Sequence, residues 1–154
     1  MLKSKSLSTH MSTACRWCRA NPEKFTVFIE RGGIETTGET PTFVYNYRLV
    51  MFVMDYTGDL DDLTLPLIVW LAENQPQLLL NPERNGDIQF TAAINDDDSA
   101  DVLFEVPLRE RVRVTRRDDG TLMTEHLPEP KSRIPQDGDW SHILEDVTWE
   151  VTGD

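Results

Sequence analysis

The chain has 154 residues, of which 39% are hydrophobic and 27% charged, and a formal net charge of −12. That length suits one domain burying roughly two-thirds of its unfolded surface. The acidic balance argues against a general nucleic-acid binder and against docking on an anionic membrane, both of which draw on clustered Lys and Arg. Two cysteines exclude a disulfide scaffold and point to a reducing compartment. No apolar run reaches the length of a membrane-spanning helix, and "MLKSKSLSTHMSTACRWCRA" lacks the apolar centre of a signal peptide.

Leu7, Met11, Ala14, Cys15 and Cys18 recur at helical spacing, and Asn21-Pro22 ends the run, so an amphipathic helix is expected over residues 6–20. "KFTVFIERGG" reads as a first strand broken by Gly32-Gly33, and "IETTGETP" as a polar turn. "TFVYNYRLVMFVMDY" is the clearest strand. Phe43, Tyr45, Tyr47, Leu49, Met51 and Val53 share one nearly all-apolar face, as expected of a central strand packed on helices.

Asp59, Asp61 and Asp62 precede a second helix, predicted over residues 63–73, where carboxylates can cap backbone N–H groups. Pro66 belongs in a first turn, which puts that helix's start near Asp62 or Thr64. "NQPQLLLNPERNGD" is a connector whose leucines must pack somewhere. "DIQFTAAI" and "DVLFEVPL", joined by "NDDDSAD", predict an antiparallel pair, and "RVRVTRRDDGTLMTEH" predicts a hairpin turning at Asp119-Gly120.

These readings sum to a single α/β (α+β) domain over residues 1–126. Its mixed, mainly antiparallel sheet of four to five strands is packed by about two helices, and a hairpin arm protrudes at about residues 109–126. A Pro-rich linker at 127–139 and a C-terminal arm at 140–154 follow; in the arm Trp140, Leu144, Val147 and Val151 fit a helix while Val147, Trp149 and Val151 fit a strand, and the last part reads as a strand-like arm.

Catalytic machinery is not evident. "NDDDSAD" lacks the Gly and Glu of a calcium loop: counted from Asp96, those positions hold Asp101 and Pro107. Cys15 and Cys18 form C-x-x-C without a second ligand pair, and both fall on the apolar side of the first helix, which favours core thiols over zinc or redox chemistry. Nucleophile-elbow, zincin, phosphate-loop and dinucleotide motifs do not occur. No cofactor or metal is expected, and the protein reads as a non-enzyme.

The most informative surface is basic. In "LRERVRVTRR", Arg109, Arg111 and Arg113 share one strand face while Glu110, Val112 and Val114 share the other, and Arg116 and Arg117 carry the patch to the hairpin tip. A solvated face is the plain reading. The sharper one is a cationic contact strip on an acidic body, because Arg binds carboxylates in bidentate geometry and is enriched at interfaces. Trp149 joins these arginines as a candidate contact residue. A body of one sign with an arm of the other suits head-to-tail association, which closes into a ring when its rotation closes.

"NPEKFTVFIERGGIETTG", "YNYRLVMFVMDYTGDLDDLTLPLIVWLAENQPQLLLNPER" and "FEVPLRERVRVTRRDDG" followed by "HLPEP" resemble the tail completion protein R family of peduovirus-like contractile-tailed phages. The resemblance covers about Leu2 to Pro130. It implies a virion structural protein with a tail-terminator fold, a small sandwich of sheet and helices. It also implies a ring, expected to be a homohexamer, on the tail tube at the head-proximal end. Contacts would be with tube, possibly sheath, and head-completion or neck proteins, assembled in the bacterial host cytoplasm. A head–tail connector on the portal side is the alternative.

Overall fold

A computed structural model describes residues 2–129. The chain begins with α1 (Leu2–Ala14) and α2 (Arg16–Ala20), then enters strands β1 (Phe25–Thr36) and β2 (Phe43–Tyr56). Helices α3 (Asp61–Asn74) and α4 (Pro76–Leu80) follow, and strands β3 (Gln89–Ile94), β4 (Ala100–Arg116) and β5 (Leu122–Leu127) complete the described chain. All strand pairings are antiparallel, in the order β1-β2-β4, with β3 and β5 sharing the far edge of β4. Among the described residues, no helix is long and apolar enough to cross a membrane.

The mixed α+β class and the mainly antiparallel sheet agree with the sequence. Strand β2 buries the face its alternation selects: Tyr47, Leu49, Met51 and Val53 are each 5% exposed or less. They meet Val102, Phe104, Val106 and Leu108 of β4, together with Leu7 and Met11 of α1, Leu63, Leu67, Trp70 and Leu71 of α3, and Leu78 of α4. The leucines of the expected connector are thus partly core, because Pro76 starts a short helix that turns Leu78 inward.

Four local expectations need correction. The first helix starts at Leu2, not residue 6, and breaks at Cys15, whose extended backbone (φ −107°, ψ 109°) lets its sulfur accept the Cys18 N–H and cap α2. The break re-aims the chain so that Trp17 packs edge-on against Tyr56, with centroids 5.0 Å apart. Strand β1 does not stop at the glycine pair. Gly32 lies opposite Tyr47, where a Cβ would stand 3.2 Å from the Tyr47 Cβ, so the glycine permits close approach instead of ending the strand.

The two segments read separately as "DVLFEVPL" and "RVRV" are one 17-residue strand running through Pro107. β3 covers β4 only to Glu105, and β5 ends opposite Arg111. Arg109 donates its N–H to Gln75 Oε1 in the gap between them, and by alternation Pro107 faces the same gap, where a missing N–H breaks no ladder.

Finally, α3 starts at Asp61, and Pro66 sits in its second turn. No side chain caps the helix; the carbonyls of Asp59 and Leu60 accept the first N–H groups, while Asp61 and Asp62 lie in the first turn, where they oppose the dipole. His10 of α1 donates to the Pro66 carbonyl at 2.8 Å and ties the two helices together.

The hairpin turns at Asp119-Gly120 as expected, with Gly120 at φ 87° and Asp119 Oδ1 accepting from the Thr121 N–H and hydroxyl. Those bonds hold the Asp119 carboxyl below its ordinary range. β2 still pairs with β4 as far as Val112, so the arm projects only beyond that residue. Leu127 belongs to β5, so the expected linker begins inside a strand. Pro128 and Glu129 follow it, and residues 130–139 of that linker and the C-terminal arm, with Trp149, lie outside the described residues.

Candidate interaction surface

The sheet's outer face, opposite the helices, carries the predicted basic strip. Arg109, Arg111 and Arg113 alternate with buried Glu110 and Val112, as the spacing requires. Arg116 pairs with Leu122 and by alternation falls on the opposite face, and Arg117 enters the turn, so the patch divides at the tip. Each of the three outer arginines already has an internal partner. Arg109 Nη2 lies 3.7 Å from Glu35, Arg111 donates to the Pro128 carbonyl at 3.1 Å, and Arg113 binds Glu125 at 2.7 Å. These groups are about half exposed in the two ion pairs, where water screens the attraction. The strip is therefore ordered without being locked.

A buried polar cluster behind the strip holds it in place. Glu110 Oε1 accepts the Lys3 backbone N–H at 2.6 Å and the Tyr47 hydroxyl at 3.0 Å. Lys3 Nζ donates to Gln75 Oε1, the Arg109 carbonyl and Glu129 Oε1, within 2.5–2.9 Å. Gln77 binds the other Glu129 oxygen. The first turn of α1, the α3–α4 joint and the end of β5 are thus pinned to β4 at Arg109. Burial lowers the Lys3 pKa against the opposing pull of Glu129, and burial with the neighbouring Glu110 charge pushes the Tyr47 hydroxyl up.

The sequence does not show this cluster: a helix expected over residues 6–20 leaves Lys3 outside it, and alternation alone does not give Glu110 its partners from α1 and β2. Three further arginines on or beside the outer face were also missed. Arg31 stands opposite Arg48 on β1 and β2, and Arg84 reaches in from the 3-10 turn before β3. The Arg31–Arg48 pairing was hidden by reading the glycine pair as a strand end.

Cys15 and Cys18 are both buried. The Cys15 thiol is drawn down to about 7, chiefly because Cys18 donates to it, and Cys18 is raised by the same bond. Among the described residues, no group of three or more His, Cys, Asp or Glu is placed to hold a metal ion.

A sequence model of the P2 phage tail completion protein R (GpR) family matches residues 1–130. The chain belongs to that family. It is similar to the "Tail completion protein R" of Escherichia phage P2, at 35% identity over 137 residues covering 88% of each chain. No solved structure matches it. The family match takes in every element of the described residues.

Proposed function

We propose that the protein is a structural component of a contractile phage tail, completing the tail at its head-proximal end. The observation that carries this is the family match across residues 1–130, which takes in every element among the described residues. Tail completion is favoured over the portal-side connector for the same reason. In this reading the protein works as a terminator: copies form a ring, six in number, on the end of the tail tube. They meet the tube, the sheath and a head-completion protein, and the ring is assembled in the bacterial host cytoplasm. The protein acts by binding, and no chemistry is assigned to it.

An acidic body bearing a cationic hairpin supports head-to-tail contacts between copies. Arg109, Arg111, Arg113, Arg116, Arg117 and Trp149 are the candidate contact residues. Co-sedimentation with purified tail tubes tests the reading. The protein should pellet with tubes and fix their length in a tail-assembly reaction, and a protein that neither binds tubes nor affects their length would be no terminator. Arg111→Glu with Arg113→Glu should leave folding nearly unchanged yet abolish tube capping, since like charges across a contact repel.

A further inference from the structure

The outer face holds a basic groove that the hairpin strip does not explain. Arg31 of β1, Arg48 of β2 and Arg109 of β4 lie on adjacent strands, and Arg84 closes the edge; with Gly33 and Asn46 they line a cavity of about 540 Å³. Arg31 and Arg48 are directly opposed across the β1–β2 ladder. Like charges in that position destabilise a sheet unless a counter-charge comes between them. Arg48, Arg109 and Arg84 have internal partners in Glu105, Glu35 and Asp87, but none of those carboxylates lines the cavity. Arg31 pairs with no carboxylate among the described residues. Gly33 leaves the groove open, since nothing lies within 4 Å of where its Cβ would stand.

A surface of complementary charge is on the same molecule. Between β3 and β4, Asp96, Asp97 and Asp98 form an exposed acidic tip. Its root is ordered: Asn95 donates its N–H to the Ser99 carbonyl and its side-chain amide to Asp101 Oδ1 and Ser99 Oγ. Asp97 accepts from the Ser99 N–H and hydroxyl, which holds its carboxyl below the ordinary range. The tip adjoins Ala100, opposite Tyr56, eight residues along β2 from Arg48. At about 3.3 Å per residue that is on the order of 26 Å. A hairpin tip held in this way cannot fold back into its own groove.

We propose that the four-arginine groove of each subunit receives the Asp96–Asp98 tip of the next copy. Guanidinium and carboxylate groups make charge-assisted, bidentate contacts there, and pre-ordering of both sides lowers the entropic cost of association. Groove and tip occupy different parts of the subunit, so the contact is heterologous and propagates until the ring closes. This inference rests on the ring-forming reading above.

The test is a pair of charge swaps in the full chain: Arg31→Glu with Arg48→Glu in the groove, and Asp96→Lys with Asp98→Lys at the tip. Mass photometry in solution and on tube ends reads the assembly. Wild-type protein should form closed higher-order species, weakened by salt. Each swapped protein should assemble about a hundredfold more weakly, the scale expected when like charges oppose each other across a contact. An equimolar mixture of the two should recover assembly into higher-order species, since the intact tip of one meets the intact groove of the other and the swapped Lys tip meets the swapped Glu groove with opposite charge. Thermal unfolding checks each fold, and Arg31→Glu alone, which breaks no ion pair among the described residues, serves as the milder groove variant.

Normal assembly by either swapped protein, or a mixture that stays monomeric, overturns the proposal while leaving the ring intact. So does loss of assembly in the groove variants alone, which would give the groove a different acidic occupant. Wild-type protein that never associates, in solution or on tubes, removes the ring reading itself and this contact with it.

Discussion

On its inner face β2 presents Tyr47, Leu49, Met51 and Val53, all closed off by helices, whereas on the outer face of the same sheet Phe28 and Met54 are about 40% exposed beside a field of arginines. One polypeptide ladder separates them. The inner face holds the apolar area whose removal from water drives folding. The outer face holds charges that cost little to solvate and gain most when another surface displaces the water. Substitutions should therefore sort cleanly: inner changes should alter stability, and outer changes should alter assembly while stability stays put.

The sharpest break of the inner face is Trp70→Ala. Trp70 is 2% exposed and donates its indole N–H to Ser6 Oγ at 3.0 Å, joining α3 to α1. Truncating a buried aromatic of this size costs about 3–5 kcal/mol. Denaturant unfolding should show a loss in that range, and a variant within 1 kcal/mol of wild type, as an order of magnitude for a surface change, would show that α3 is not central to the core.

A change of pH probes the same face. Tyr47 and Tyr56 are buried and both hydroxyls are pushed above their ordinary value, by desolvation first and then by nearby negative charge. A tyrosine with a raised folded pKa stabilises the fold fully below the unfolded value near 10 and loses that contribution as pH climbs past it. Lys3 works the other way: its lowered pKa makes stability rise with pH between that lowered value and its ordinary 10.5. With two tyrosines against one lysine, stability should fall above about pH 10, and Tyr47→Phe should flatten the decline. Alkaline unfolding curves that superimpose for the two proteins would show that Tyr47 does not drive it.

The core was legible because periodicity alone orients an alternating strand: β2 buries the residues its pattern selects, and Asp119-Gly120 makes the turn its chemistry requires. What escaped depended on neighbours distant in sequence. Gly32 ends nothing because Tyr47 stands opposite it. Pro107 interrupts nothing because β3 and β5 leave a gap beside it. Cys15 breaks the first helix through its own sulfur, a small choice that helical spacing does not register. The arginine strip was read from alternation, but its ion pairs and the groove beside it needed the register of four strands.

The smallest effect tests whether the outer face is as detachable as this comparison claims. Arg113 and Glu125 face each other across the β4–β5 pair at 2.7 Å, with side chains 52% and 48% exposed. Exposed pairs of this kind contribute about 0–1 kcal/mol, and salt screens them. A double-mutant cycle with Arg113→Ala and Glu125→Ala should return a coupling in that range, shrinking as salt is added. A coupling near 2 kcal/mol or more, twice what exposed pairs give, would make the pair a staple that holds the hairpin shut. Arg113 could then not be released to a neighbouring subunit at small cost, and the strip would count towards the fold instead of assembly.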